Sequence, residues 1–231
     1  AFTPPTAPLT AIAGTSLLLN ATNSGIYDST GKNDLTTVGD ARTSTAVIKY
    51  GSSSMYFDGT GAYLSMPASP NIAFGTGDFT IEYWMYSTNV SGASQKGIFQ
   101  TSDTVGGLKT SYTSGILMAQ GMSTTFTQIN GGLITIINGA NYGSNTAVLT
   151  ANTWYHIAVT RASGSVRMFV NGAAAGTGTD NSSINGQNLA VGGYYNTAYL
   201  YSGYIDDLRI TKGIARYTTT FTPPSQAMLG M

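Results

Sequence analysis

The chain has 231 residues, and only 9% are charged, ten basic against ten acidic. That balance excludes an electrostatic hold on nucleic acid or on an anionic membrane, because both need clustered Lys and Arg. Cysteine is absent, Glu82 is the only glutamate and His156 the only histidine, so disulfides, zinc–thiolate centres, thiol nucleophiles and most acid–base pairs drop out too.

Ala1-Phe2-Thr3-Pro4-Pro5 has no basic region leading into an apolar core, so no secretory leader is expected in this stretch. Further along, no apolar run approaches the length of about eighteen residues that a membrane span needs. Instead, short alternating runs bounded by Gly, Asn, Ser or Asp recur, with 29 Gly for turns and 15 Tyr that suit strands. Ser16 to Asn20 reads as an opening strand. Ser53 to Asp58 and Ala62 to Met66 flank Gly59-Thr60-Gly61, which predicts a compact hairpin. Phe79 to Tyr86 is the strongest strand, with Phe79, Ile81, Tyr83 and Met85 on one face and Thr80, Glu82, Trp84 and Tyr86 on the other. Aromatic character on both faces predicts a central strand covered on each side.

Further strands are predicted at Gly115 to Ala119, Leu133 to Asn138, Trp154 to Arg161, Val166 to Asn171, Leu189 to Gly192 and Gly203 to Thr211. Asn171-Gly172 predicts a type I′ turn, since both residues tolerate positive φ. The pattern is that of an all-β, two-sheet antiparallel sandwich. Residues 1–13 read as a Pro-containing connector, 14–222 as one jelly-roll domain and 223–231 as a tail. Phe2-Thr3-Pro4-Pro5 recurs as Phe221-Thr222-Pro223-Pro224, which fits one unit of a tandem or assembled array, with copies of itself or neighbouring structural subunits as partners.

Candidate chemistry is sparse. Asp78 and Glu82 share a strand face, but four positions separate them by roughly 13 Å, too far for a glycosidase pair. Glu82 is therefore expected to satisfy an Arg or a backbone group near a sheet edge. His156 sits between Trp154 and Ala158 with no nucleophile elbow in the chain, so it is expected to pack, with one nitrogen satisfied. Calcium is the one ion with oxygen ligands on offer, from Asp28 and Asp34 in the loop Asp28-Ser29-Thr30-Gly31-Lys32-Asn33-Asp34. The same residues also make an ordinary Asx turn; Asp58, Asp206 and Asp207 are alternatives, with Asp206-Asp207 expected to pair with Arg209 or to cap strand-end amides. Tyr194, Tyr195, Tyr199, Tyr201 and Tyr204 crowd the segment Gly193 to Tyr204, and for a carbohydrate the candidates are Tyr194, Tyr195, Asn196, Tyr199 and Tyr201, whose rings can stack on sugar C–H faces while Asn reads hydroxyls. Core packing of these tyrosines is the alternative. The loops Gln100 to Tyr112, Gln120 to Asn130 and Asn138 to Asn145 have the composition of recognition loops.

Several runs carry a resemblance. They are Tyr56-Phe57-Asp58-Gly59 with Tyr63-Leu64, Asp78 to Trp84, Trp154 to Arg161, Val170-Asn171-Gly172, Val191-Gly192-Gly193 and Gly203 to Ile210. In this order, between about Leu17 and Pro224, they resemble the laminin G-like branch of the concanavalin A-like lectin/glucanase superfamily. Lys212 to Tyr217 with Phe221-Thr222-Pro223-Pro224 resembles the copies found in phage structural proteins. The resemblance implies a jelly roll of two curved sheets. That fold serves enzymes, lectins and structural modules alike. With low charge, no cysteine and abundant Thr, Ser, Asn and Gly, the chain is expected to be a non-enzymatic, lectin-like module of a virion or extracellular fibre, for surface display, adhesion to host cell-surface glycan, or both. A purely architectural subunit is the alternative and a glycoside hydrolase a distant third.

Overall fold

The computed structural model describes residues 14–19, 25–91, 95–103, 115–123, 125, 127–143, 148–194 and 199–227. In chain order the strands are β1 (Thr15–Leu19), β2 (Thr36–Val38), β3 (Arg42–Ser44), β4 (Ser54–Asp58), β5 (Tyr63–Met66), β6 (Phe79–Ser87), β7 (Lys96–Ser102), β8 (Ile116–Met122) and β9 (Gln128–Ile137). Then follow β10 (Ala140–Gly143), β11 (Trp154–Ala162), β12 (Ser165–Val170), β13 (Ala173–Thr179), β14 (Asn188–Val191), β15 (Gly193–Tyr194), β16 (Tyr199–Leu200) and β17 (Ser202–Lys212). One short 3-10 turn, Pro70–Ile72, is the only helical element among the described residues, and no helix there could cross a membrane.

The strands form two sheets. The first runs β13-β12-β11-β6-β17-β4-β3, with β1 also on β17, and the second runs β10-β9-β8-β7-β14-β5-β2, with β15 and β16 alongside. Apart from one parallel bridge, Leu200 to Gly97, the pairing is antiparallel. The expected all-β sandwich is the fold. Phe79, Ile81, Tyr83 and Met85 of β6 turn into the inter-sheet core, as their alternation requires, to meet Phe99 and Leu133 of the second sheet's strands within one apolar cluster. Each such side chain withdraws apolar surface worth about 1.5–3 kcal/mol. β6 is central, between β11 and β17, and is buried on both faces up to Met85.

Two expectations need correction. Gly59-Thr60-Gly61 does not close a hairpin, because β4 pairs with β3 and β17 in the first sheet while β5 pairs with β2 and β14 in the second. Asp58 turns the chain over the sandwich edge: its carboxylate accepts the amides of Thr60, Gly61 and Ala62 at 2.8–3.0 Å. Burial disfavours its charge, yet these donors and the Thr60 hydroxyl outweigh that and hold its pKa well below the usual carboxylate range. A tight Gly-containing loop looks alike in sequence whether it links strands within a sheet or between sheets. The second correction concerns Pro223-Pro224, expected in a tail: Pro224 is buried, and its carbonyl accepts the Tyr50 hydroxyl at 2.7 Å.

Of the loops expected for recognition, Gln100–Ser102 belongs to β7, Gln120–Met122 to β8, Gln128–Asn130 to β9 and Ala140–Gly143 to β10. Residues 104–112 lie outside the described residues. Asn171 and Gly172 take φ 49° and 77°, as the turn between β12 and β13 demands.

Candidate functional site: an aromatic row on a partly covered sheet

Thr80, Glu82, Trp84 and Tyr86 of β6 point to the outer face of the first sheet. β17 runs beside them, but from the pair Tyr204–Tyr86 to the pair Arg209–Glu82 it takes five steps to the four of β6. The extra residue is a bulge at Asp206-Asp207, where Asp207 has φ 49°. The two-residue period of a strand would otherwise turn Arg209 into the core. With the bulge, Ile205, Leu208 and Ile210 fill the core while Tyr204 and Arg209 both face outward.

One end of this outer face is covered by the segment after β17. Thr80 Oγ1 donates to the Ile214 carbonyl and Thr160 Oγ1 to that of Tyr217, both at 2.8 Å, and the Phe221 amide donates to the Gly172 carbonyl at 3.1 Å. Beneath this strap Glu82 is fully buried. Its Oε1 accepts Arg209 Nε and Nη2 at 2.9 and 2.6 Å, its Oε2 accepts the Tyr217 hydroxyl at 2.7 Å, and His156 Nε2 lies 3.4 Å from Oε2. Burial opposes the charge on Glu82, but Arg209 above all, then His156 and Tyr217, hold its pKa below the usual range. Burial, reinforced by the carboxylate, keeps the Tyr217 phenol protonated as a donor.

Glu82 thus holds an arginine, as expected, at the centre of the sheet and not near its edge. Asp78 faces elsewhere, accepting the Ser163 amide at 2.7 Å. His156 packs edge-on against Trp84, Tyr217 and Phe221, with ring centroids 5.2, 6.2 and 5.7 Å away. Neither of its ring nitrogens makes a hydrogen bond, contrary to the one satisfied nitrogen expected.

Trp84 is capped by a second cover, the chain before β4: Lys49 Nζ lies 3.9 Å from its ring centre and Tyr50 meets it edge-on at 5.7 Å. The amides of Lys49 and Tyr50 donate to Asp206 at 3.2 and 3.0 Å. Here both covers stop. The next cross-strand row is Tyr56 on β4, Tyr204 on β17, Tyr86 on β6 and Trp154 on β11, each paired in register with its neighbour and each partly exposed. Successive ring centroids are 5.2, 5.8 and 5.4 Å apart. Arg42 of β3 lies over Tyr56 at 4.5 Å and is paired with Asp40. Beyond the row, at the rim, stand Ser202 and the exposed Thr88 and Asn152. Four amphipathic rings and a polar rim are what a sugar chain needs: C–H faces stack while hydroxyls find donors and acceptors.

The residues expected from sequence fare differently. Tyr195 and Asn196 lie outside the described residues, and Tyr194 pairs through its backbone with Tyr199 in β15 and β16. Tyr199 packs on the apolar cluster of Leu117, Ala119, Ile134 and Ile136 on the second sheet. Tyr201 is a core residue, fully buried, with its hydroxyl 3.2 Å from Ser87 Oγ, so no ligand can stack on it. Asp28 is the centre of an Asx turn: Oδ1 accepts the amides of Leu18 and Thr30, and Oδ2 accepts Thr30 Oγ1 and Asn33 Nδ2. The residue that joins Asp28 across the loop is Asn33, while Asp34 is exposed. Among the described residues no three His, Cys, Asp or Glu gather as metal ligands do. Sequence reasoning missed the aromatic row because its members come from four distant runs. Only the outward parity of Tyr86 was readable.

The family model Laminin_G_3, of the concanavalin A-like lectin/glucanases superfamily, matches residues 58–215. No curated protein matches the chain in sequence. Among solved structures, the binding domain of botulinum neurotoxin serotype G has a TM-score of 0.64 at 14% identity, over 88% of this chain and 48% of that one. The binding domain of Paraclostridial Mosquitocidal Protein 1 has a TM-score of 0.58 at 14% identity, over 87% and 49%. The chain spans about half the length of these toxin domains. Domain 4 of AbnA, a GH43 extracellular arabinanase from Geobacillus stearothermophilus, in complex with arabinotriose, has a TM-score of 0.63 at 16% identity, over 87% and 93%. At such identities the likeness is one of fold.

Proposed function

This chain belongs to the concanavalin A-like lectin/glucanases superfamily, and we propose that it is a non-enzymatic, lectin-like module that holds glycan on the row Tyr56, Tyr204, Tyr86 and Trp154. The observation that carries this reading is the row itself: four in-register, partly exposed rings at the one end of the sheet face that neither cover reaches. A fold neighbour that carries arabinotriose supports it. The only glutamate is sealed under the strap and bound to Arg209, which supports binding without bond cleavage. The setting we propose is the surface of a virion or extracellular fibre, on the resemblance of Lys212 to Tyr217 and Phe221 to Pro224 to phage structural copies.

A glycan array probed with the wild-type protein and with Tyr204→Ala and Trp154→Ala tests the reading, with melting curves to show that the variants fold. Each variant should lose about tenfold in affinity, the worth of about one stacked ring. Binding retained by both variants would move the seat to Tyr194, Tyr195, Asn196 and Tyr199. Absence of binding by the wild type would leave the architectural reading, which the repeat of Phe2-Thr3-Pro4-Pro5 at Phe221 to Pro224 favours. Sedimentation of the intact chain would then show self-association.

A further inference from the structure

The aromatic row also restricts the kind of glycan, given that glycan is what it holds. We propose that its ligand is a single, twisted, neutral oligosaccharide chain lying across the strands with one sugar per ring, and neither a crystalline polysaccharide face nor an acidic glycan.

Spacing gives the first argument. Because each ring stands on its own strand, the steps of 5.2, 5.8 and 5.4 Å follow the inter-strand distance of about 4.8 Å. A step of this size is close to the length of one sugar unit along an extended chain. Four rings then offer four stacking places in a line.

Orientation gives the second. Neighbouring ring planes are inclined to one another by 49°, 78° and 56°. A flat crystal face presents its C–H surfaces in one plane and can meet only coplanar rings. A free chain turns from one unit to the next and presents each C–H face at a new angle, which suits rings mounted on a twisted sheet.

Charge gives the third. The cation at the end of the row, Arg42, lies over Tyr56 and is already paired with Asp40. Lys49 sits one row away over Trp84, beside Asp206. Asp58, in register with Ser202 at the rim, is held ionised by the amides and the hydroxyl of its loop. A uronate or sulfate laid along the row would find its nearest cations engaged and a carboxylate at its flank. Neutral hydroxyls would find Thr88, Ser202 and Asn152.

Titration of the full chain with neutral oligosaccharides of increasing length, in the arabino, xylo, gluco and galacto series, provides the test, read by Trp fluorescence and calorimetry. Affinity should rise about threefold to tenfold with each added sugar until four are bound, then level off. Trp154→Ala and Tyr56→Ala each remove a terminal ring and should bring the plateau one sugar earlier, a change that mere loss of stability would not produce. Microcrystalline cellulose and chitin should not retain the protein, and uronate or sulfated chains should bind no tighter than neutral ones. Affinity independent of length, retention on crystalline polysaccharide, or a salt-sensitive preference for acidic chains would overturn the inference while leaving a lectin. Failure to bind any carbohydrate would overturn the lectin reading as well.

Discussion

Two regions of one sheet face are built from the same strands, and they differ in what lies over them. At one end Glu82, Arg209, Thr80 and Thr160 sit under the strap of residues 213–227, with every carboxylate and hydroxyl oxygen among them bonded. At the other end Tyr56, Tyr204, Tyr86 and Trp154 are partly exposed, in contact with one another and, at Tyr56, with Arg42. The covered end of the face holds a buried charge pair, while the other end leaves four rings partly exposed, the reverse of the usual preference of charges for the surface. A buried ion pair makes the covered end depend on each partner, whereas partly exposed rings contribute little to stability.

The sharpest way to break this contrast is to remove one charge from the covered end. Glu82→Gln removes the carboxylate charge that Arg209 meets under the strap and should cost about 3–5 kcal/mol in urea unfolding. Tyr86→Ala, four residues along the same strand, should cost about 1 kcal/mol. Equal losses would mean that the two regions are energetically alike.

The pH dependence of stability should show the boundary between them. Asp206 has its pKa pushed up to about 6, because burial outweighs the amides of Tyr50, Lys49 and Asp207. The folded state then keeps a proton that the unfolded chain has released, so stability falls as pH rises from about 4 to about 6. Glu82 runs the other way. Its pKa is lowered on folding, so its contribution is present above the unfolded value of about 4.3 and is lost as pH falls below it. A stability maximum between these limbs is expected, and Asp206→Asn should flatten the upper one alone. An unchanged upper limb in that variant would assign it to another group.

The most local effect is expected at the strap itself. Gly172 has φ 77°, and a Cβ there would stand 1.8 Å from the Phe221 carbonyl oxygen. Gly172→Ala should cost about 1–3 kcal/mol and raise hydrogen exchange around Tyr217 to Phe221 without touching glycan affinity. Protection at the strap equal to wild type would show that Phe221 is not held there.

Alternation exposed the heart of the fold. The core face of β6 and the positive φ values at Asn171-Gly172 follow from side-chain period and from the residues that tolerate such backbones. The candidate site was less legible. Tyr204 belonged to a visible tyrosine cluster, but its neighbour Tyr201 faces the core, and its in-register neighbours Tyr56, Tyr86 and Trp154 come from distant runs. The aromatic content of the Gly193 to Tyr204 segment could not say which rings face out, since Tyr201 and Tyr204 differ only in parity.

By itself, then, the sequence determined an all-β sandwich with β6 at its centre, because hydrophobic alternation and turn residues act locally and leave a mark in every short window. Tertiary structure alone decided three things: that Gly59 to Gly61 joins two sheets, that a bulge at Asp206-Asp207 turns Arg209 onto Glu82, and that two covers stop one row short of four rings. Each of these is a matter of register between strands far apart in the chain. Register is set by the sum of long-range contacts, and no single segment carries that sum.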